Sequence, residues 1–90
     1  MRTIILDGLY MNTREATHHY LALRLQLPSY YGRNLDALHD VLTDPCEPTT
    51  LVLYRKALML ASLGDYGETL LSVIRDAASE NANLSFTEHM

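Results

Sequence analysis

Apolar positions along this chain fall into short runs and helical stripes, separated by turn residues. Residues 3–6, Thr-Ile-Ile-Leu, form a β-branched apolar run closed by the turn pair Asp7-Gly8, which predicts a buried strand. Asn12, with Glu15 three positions on, has the spacing of a capping box, so a helix is predicted to start there and to stop before Pro28. It carries two opposed stripes, Ala16, Tyr20, Leu23 and Leu27 against His18, Leu21, Ala22 and Leu25, and the pattern alone does not choose between them. Asn34 stands where an N-cap should, ahead of a helix predicted over 35–43. At the helical period Leu35, Leu38, Val41 and Leu42 share one side, and Asp36, His39, Asp40 and Thr43 share the other. Pro45 and Pro48 make residues 43–48 a loop. Residues 49–54 form a second apolar run without clean alternation, which predicts a strand buried on both faces. A short helix over 55–63 closes at Gly64, and a long one over 68–80 carries Leu70, Leu71, Val73, Ile74 and Ala77 as its stripe. A last strand is predicted at 84–87, with a frayed tail after it.

The element order is strand, helix, helix, strand, helix, helix, strand. Helical crossovers between strands imply parallel pairing, so the expected class is α/β, a three-stranded parallel sheet packed against about four helices. Ninety residues accommodate a single domain, 1–90, and no repeat or linker interrupts it.

Composition narrows the function classes. The chain is 48% hydrophobic and 20% charged, ordinary for a soluble globular protein, and no apolar run approaches a membrane span. The apolar stretch at the N-terminus is too short for a signal peptide, and a single cysteine, Cys46, cannot form an internal disulfide, so a cytoplasmic location is expected. The net charge is -4, and between positions 30 and 48 the acids Asp36, Asp40, Asp44 and Glu47 face only Arg33. Such a surface repels nucleic-acid phosphate and attracts a basic partner.

The stretch 27–42 holds the most chemistry. Pro28 and Gly32 bracket a turn, with Gly32 suited to a positive φ, and the turn presents Tyr30 and Tyr31. Tyr31 is expected in the core. Asp36, His39 and Asp40, three and four positions apart, fall on one helix face and admit several readings: metal ligands, an acid-base pair, a contact surface or a solvated face. A metal shell lacks converging ligands on a single exposed turn, and acid-base catalysis needs a pocket and shifted pKa values that an exposed helix face does not readily supply. No P-loop, G-x-S-x-G, H-E-x-x-H or cysteine pair with metal spacing is present, so neither an enzyme, a metal nor a cofactor is expected. Tyrosine beside acid favours an interface, because the ring offers rigid contact area and the carboxylate offers specificity for cations. His18 and His19 are expected to be structural or solvated, Met59 to fill a gap in the core and Met11 to pack at a helix entry.

Leu27, Pro28, Tyr30, Tyr31, Gly32, Asn34, Leu35, Asp36, Ala37, Leu38, Asp40 and Leu42 together closely resemble the barstar family, intracellular inhibitors of a secreted bacterial ribonuclease. Leu51-Val52-Leu53 and Arg75 extend the resemblance along the chain, and Leu21 and Leu25 match leucines of the family's first helix, which favours their stripe as the buried one. The resemblance implies that the short helix and its preceding loop enter the ribonuclease active site. Asp40 looks like the carboxylate that replaces a substrate phosphate, Asp36 like a second charged contact and Tyr30 like an aromatic one. Asn34, His39, Thr43 and Asp76 lie at positions matching family contacts. The implied partner is an extracellular, guanyl-preferring, barnase-like ribonuclease, met by a monomeric inhibitor with no role for nucleic acid or membrane. This chain departs from the family at His39, where an aromatic is usual, at Asp44-Pro45, which replace Gly-Trp, and at Asp76, an acid shortened by a methylene; Glu80 also matches an acidic position. The alternative is an immunity or interaction module that binds a basic groove on a non-ribonuclease.

Overall fold

The computed structural model describes residues 2–44 and 47–90. Three strands, β1 (Arg2–Asp7), β2 (Thr49–Tyr54) and β3 (Leu84–Glu88), form one sheet in the order β1-β2-β3 with both pairs parallel. Parallel neighbours require a crossover long enough to return the chain. The first crossover carries α1 (Arg14–Leu25) and α2 (Leu35–Thr43), the second α3 (Lys56–Leu63) and α4 (Asp65–Glu80). The expected α/β class and parallel sheet are therefore present.

Register explains the core. Ile4 lies opposite Leu51 and Leu6 opposite Leu53, so their side chains stack on one sheet face. They join Leu21 and Leu25 of α1, Leu38 and Leu42 of α2, Met59 of α3 and Leu70, Leu71, Ile74 and Ala77 of α4 in one buried cluster. The other face is open: Thr3, Ile5, Ser85 and Thr87 are exposed, and Val52 between them is half-buried. This corrects the expectation that β2 is buried on both faces. Val52 made the run look continuous, but no helical layer covers that side.

Helix α1 buries Thr17, His18, Leu21 and Leu25, while Leu23 of the rival stripe is exposed. Its cap is Thr13 rather than Asn12: the Thr13 hydroxyl accepts from the Ala16 N–H at 3.0 Å. Both residues are good caps, and the choice falls to the one in register with the buried stripe. Gly8, just after β1, is required by close approach, because a Cβ there would collide with the Arg55 carbonyl oxygen.

The C-terminal tail is tied down rather than frayed. The His89 N–H donates to the Leu53 carbonyl at 2.8 Å, its own carbonyl accepts from the Lys56 N–H at 3.0 Å, and its ring stacks on Tyr54. Glu88 accepts from Arg75 Nε at 2.7 Å and Nη2 at 2.6 Å, and from Lys56 Nζ at 3.2 Å. These bonds, the Arg75 fork first, hold the Glu88 carboxyl below its ordinary range. Parallel pairing continued past position 87 because side chains from two helices converge on Glu88.

Candidate functional site

Helix α2 begins as its sequence dictates. Asn34 is extended, and its Oδ1 accepts from the Ala37 N–H at 2.8 Å while its Nδ2 donates to the Gly32 carbonyl at 3.1 Å. The amide thus spends a bond at each end on holding the loop against the helix. In the loop the left-handed residue is Arg33, with φ 53°, rather than Gly32. Gly32 serves space instead: a Cβ there would sit 3.2 Å from the Ala37 Cβ and 3.1 Å from the Asn34 amide.

The far end of α2 is held by α4. Its C-cap, Asp44, is extended and supplies no left-handed turn, so the last carbonyls need partners from elsewhere. The Asn81 amide, buried at the end of α4, donates to the Leu42 carbonyl at 3.0 Å and approaches that of Asp44 at 3.4 Å. His39 Nε2 meets Glu80 Oε2 at 2.8 Å on the same seam. Leu38 and Leu42 complete the docking as buried side chains. The expected loop at Pro45 and Cys46 lies outside the described residues.

The polar side of α2 is turned outward. Asp36 and Asp40 are exposed, and neither has an ion-pair partner within 4 Å among the described residues. Their spacing of four places them one turn apart on one face. His39 and Thr43 are half-buried beside them, the Thr43 hydroxyl donating back to the His39 carbonyl at 2.9 Å or the Asp40 carbonyl at 3.2 Å. Asp76 is exposed on α4, one turn before the Glu80 that contacts His39. Tyr30 is 86% exposed at the tip of the preceding turn, whereas Tyr31 beside it is 7% exposed, as its expected core role requires.

Tyr31 is held from within by a buried histidine. His18 Nδ1 lies 2.7 Å from the Tyr31 hydroxyl and His18 Nε2 lies 2.6 Å from the Tyr66 hydroxyl. A neutral imidazole has one N–H and one lone pair, so one tyrosine donates and the other accepts. Burial, reinforced by the Arg33 charge, lowers the His18 pKa from its ordinary 6.5. Burial, with Tyr66 nearby, pushes Tyr31 up to about 12. Burial likewise raises Tyr66, partly offset by Arg14. This link between α1, the loop before α2 and α4 was not legible in sequence, where His18 is one more residue of an ambiguous stripe.

Above His18 and Tyr66 opens a cleft of about 480 Å³, walled by the first turns of α1, α2 and α4. Arg14, Glu15, Arg33 and Asp36 bring their charges to it, and Arg14 lies over the Tyr66 ring at 4.3 Å. Among the described residues no group of three metal-ligating side chains converges, and no helix is long and apolar enough to cross a membrane.

Comparison with known proteins identifies a family and a relative. Residues 1–89 match a family described as "Barstar (barnase inhibitor)". The chain is 44% identical over 81 residues to a Bacillus subtilis (strain 168) protein named "Putative ribonuclease inhibitor YrdF", covering 89% of each chain. With the whole α/β framework and the α2 stretch inside the matched region, the chain belongs to the barstar family.

Proposed function

We propose that this protein inhibits a ribonuclease by seating the outer face of α2 and the preceding turn in the enzyme's active site. Family membership and the relative's name support inhibition in general. The observation that carries the mechanism is the pair Asp36 and Asp40, exposed on a helix anchored at both ends and unpaired among the described residues. A ribonuclease must stabilise phosphate charge with preorganised cations, and a rigidly presented carboxylate competes for them. Asp40 takes the place of a substrate phosphate, Asp36 supplies a second charge and Tyr30 a rigid aromatic contact. Asn34, His39, Thr43 and Asp76 border that surface. Asn34 acts chiefly by fixing the first turn, and His39, already bonded to Glu80, presents a rim shaped by α4 as well as α2.

The inhibitor acts in the cell interior on a guanyl-preferring, barnase-like enzyme, as one single-domain chain without catalytic activity of its own. Titrating barnase with the protein while following RNA cleavage tests this. The expected result is loss of cleavage at a one-to-one ratio, reversed by RNA in competition. Undiminished cleavage at excess protein, with tight capture of a basic protein that is no nuclease, would instead favour an interaction module on a non-ribonuclease groove.

A further inference from the structure

The cleft beside α2 holds a charge arrangement that an acidic inhibitory face does not call for. Arg33 is exposed at its edge, adjacent to Asn34, and pairs with no carboxylate within 4 Å among the described residues. Arg14 is equally without an ion pair there, and is held over the Tyr66 ring. That ring is itself fixed by the hydrogen bond between its hydroxyl and His18, so Arg14 rests on a preorganised platform. Arg33 sits in a left-handed backbone conformation, where glycine or asparagine is cheaper, yet the position carries a long cationic side chain.

Glu15 and Asp36 also line the cleft, so the free protein balances two cations with two acids. Docking changes that balance. Once a cation of the partner engages Asp36, both guanidiniums face the interface with only Glu15 to offset them, and an unpaired cation taken out of water there is costly. A carboxylate satisfies a guanidinium with two parallel hydrogen bonds.

We propose that the cleft is a second, oppositely charged half of the contact surface, in which Arg33 and Arg14 receive an acidic side chain from the protein partner whose cations engage Asp36 and Asp40. This rests on the inhibitor reading above. It makes recognition bipolar: the acidic half seeks the phosphate-binding groove, and the basic half checks for an acid beside it.

The sign of one substitution separates the two levels. If only acid-to-base attraction operates, Arg33→Glu adds negative charge to the face and tightens binding to barnase. The cleft proposal requires the opposite, a dissociation constant raised at least about tenfold, with Arg14→Glu acting in the same direction. Arg33→Gly is the companion variant, since glycine suits the left-handed backbone and deletes only the guanidinium. It should also weaken binding, and its effect should vanish against a barnase variant lacking the one Asp or Glu that faces the cleft. Arg33→Glu binding as tightly as the parent or tighter, or Arg33→Gly coupling to no acid of the enzyme, overturns the proposal while leaving inhibition intact. A parent protein that fails to bind barnase at all overturns the inhibitor reading, and the cleft with it.

Discussion

Around the end of β3 three charged side chains close on one another, whereas along α2 and the cleft beside it four charged side chains do not. Glu88 takes two of the three Arg75 guanidinium nitrogens and the Lys56 ammonium, and with only 18% of its side chain exposed it works as an internal clasp between β3, α3 and α4. Asp36, Asp40, Arg14 and Arg33 lie exposed without an ion pair among the described residues. The first set spends its charge on the fold; the second, on the inhibitor reading proposed above, meets the partner. Two of the four histidines repeat the contrast. His18 is sealed between two tyrosine hydroxyls, while His39 lies at the surface seam against Glu80.

On that division, substitutions in the two regions have separable consequences. The largest belongs to the open set. Asp40→Ala should weaken ribonuclease binding by more than about 2 kcal/mol, a hot-spot scale for which the barnase–barstar complex is itself a standard illustration. Its urea midpoint should stay at the parent value, and a variant that binds as tightly as the parent would remove Asp40 from the mechanism.

Asn34→Ala stands between the regions, because its side chain caps α2 and borders the proposed contact. It should lower stability by about 1 kcal/mol through the lost cap, and lower affinity only as far as the first turn of α2 loosens. An affinity loss as large as that of Asp40→Ala would make Asn34 a direct contact instead.

Glu88→Gln should cost about 1 kcal/mol of stability or less, since Arg75 is half exposed and exposed pairs contribute little, and it should leave the dissociation constant unchanged. A change in binding would break the comparison, because it would give the clasp a role in recognition.

The smallest effect is a slope with pH. His18 has a folded pKa below its ordinary 6.5, so the unfolded chain binds more protons than the folded one between the two values. Stability is therefore complete above about pH 6.5 and declines as pH falls through that value toward the folded pKa. The Glu88 contribution is lost separately, below its ordinary 4.5, as pH falls through its own lowered value. Denaturation midpoints from pH 8 to 5 should show the first decline in the parent, and His18→Gln should flatten it. A parent midpoint that rises on acidification would contradict the closed geometry around His18.

Much of α2 was legible because its determinants are local. Asn34, an amphipathic run of helix formers and the prolines beyond it act within a few residues of one another, and the helix spans 35–43 as expected. The core role expected for Tyr31 is met at 7% exposure, whereas the contact role of Tyr30, 86% exposed, is implied by the family resemblance rather than by the local pattern. Reading failed where two local solutions were nearly equal or where the partner was distant. Asn12 and Thr13 both cap well, Gly32 and Arg33 both sit in the turn, and the two stripes of α1 differ little in apolar content. Nothing near Glu88 in sequence announces Arg75 or Lys56, and nothing near His18 announces Tyr66.

The sequence by itself determined the alternation of strands and helices, hence parallel pairing, and the acidic outer side of α2, because periodicity and capping are short-range effects. Tertiary structure decided which stripe of α1 is buried, which sheet face is covered, how Asn81 and Glu80 seat α2, and that Arg14 and Arg33 share a cleft with Asp36. Those outcomes depend on contacts between residues far apart in the chain, where burial and paired polar groups outweigh any local preference.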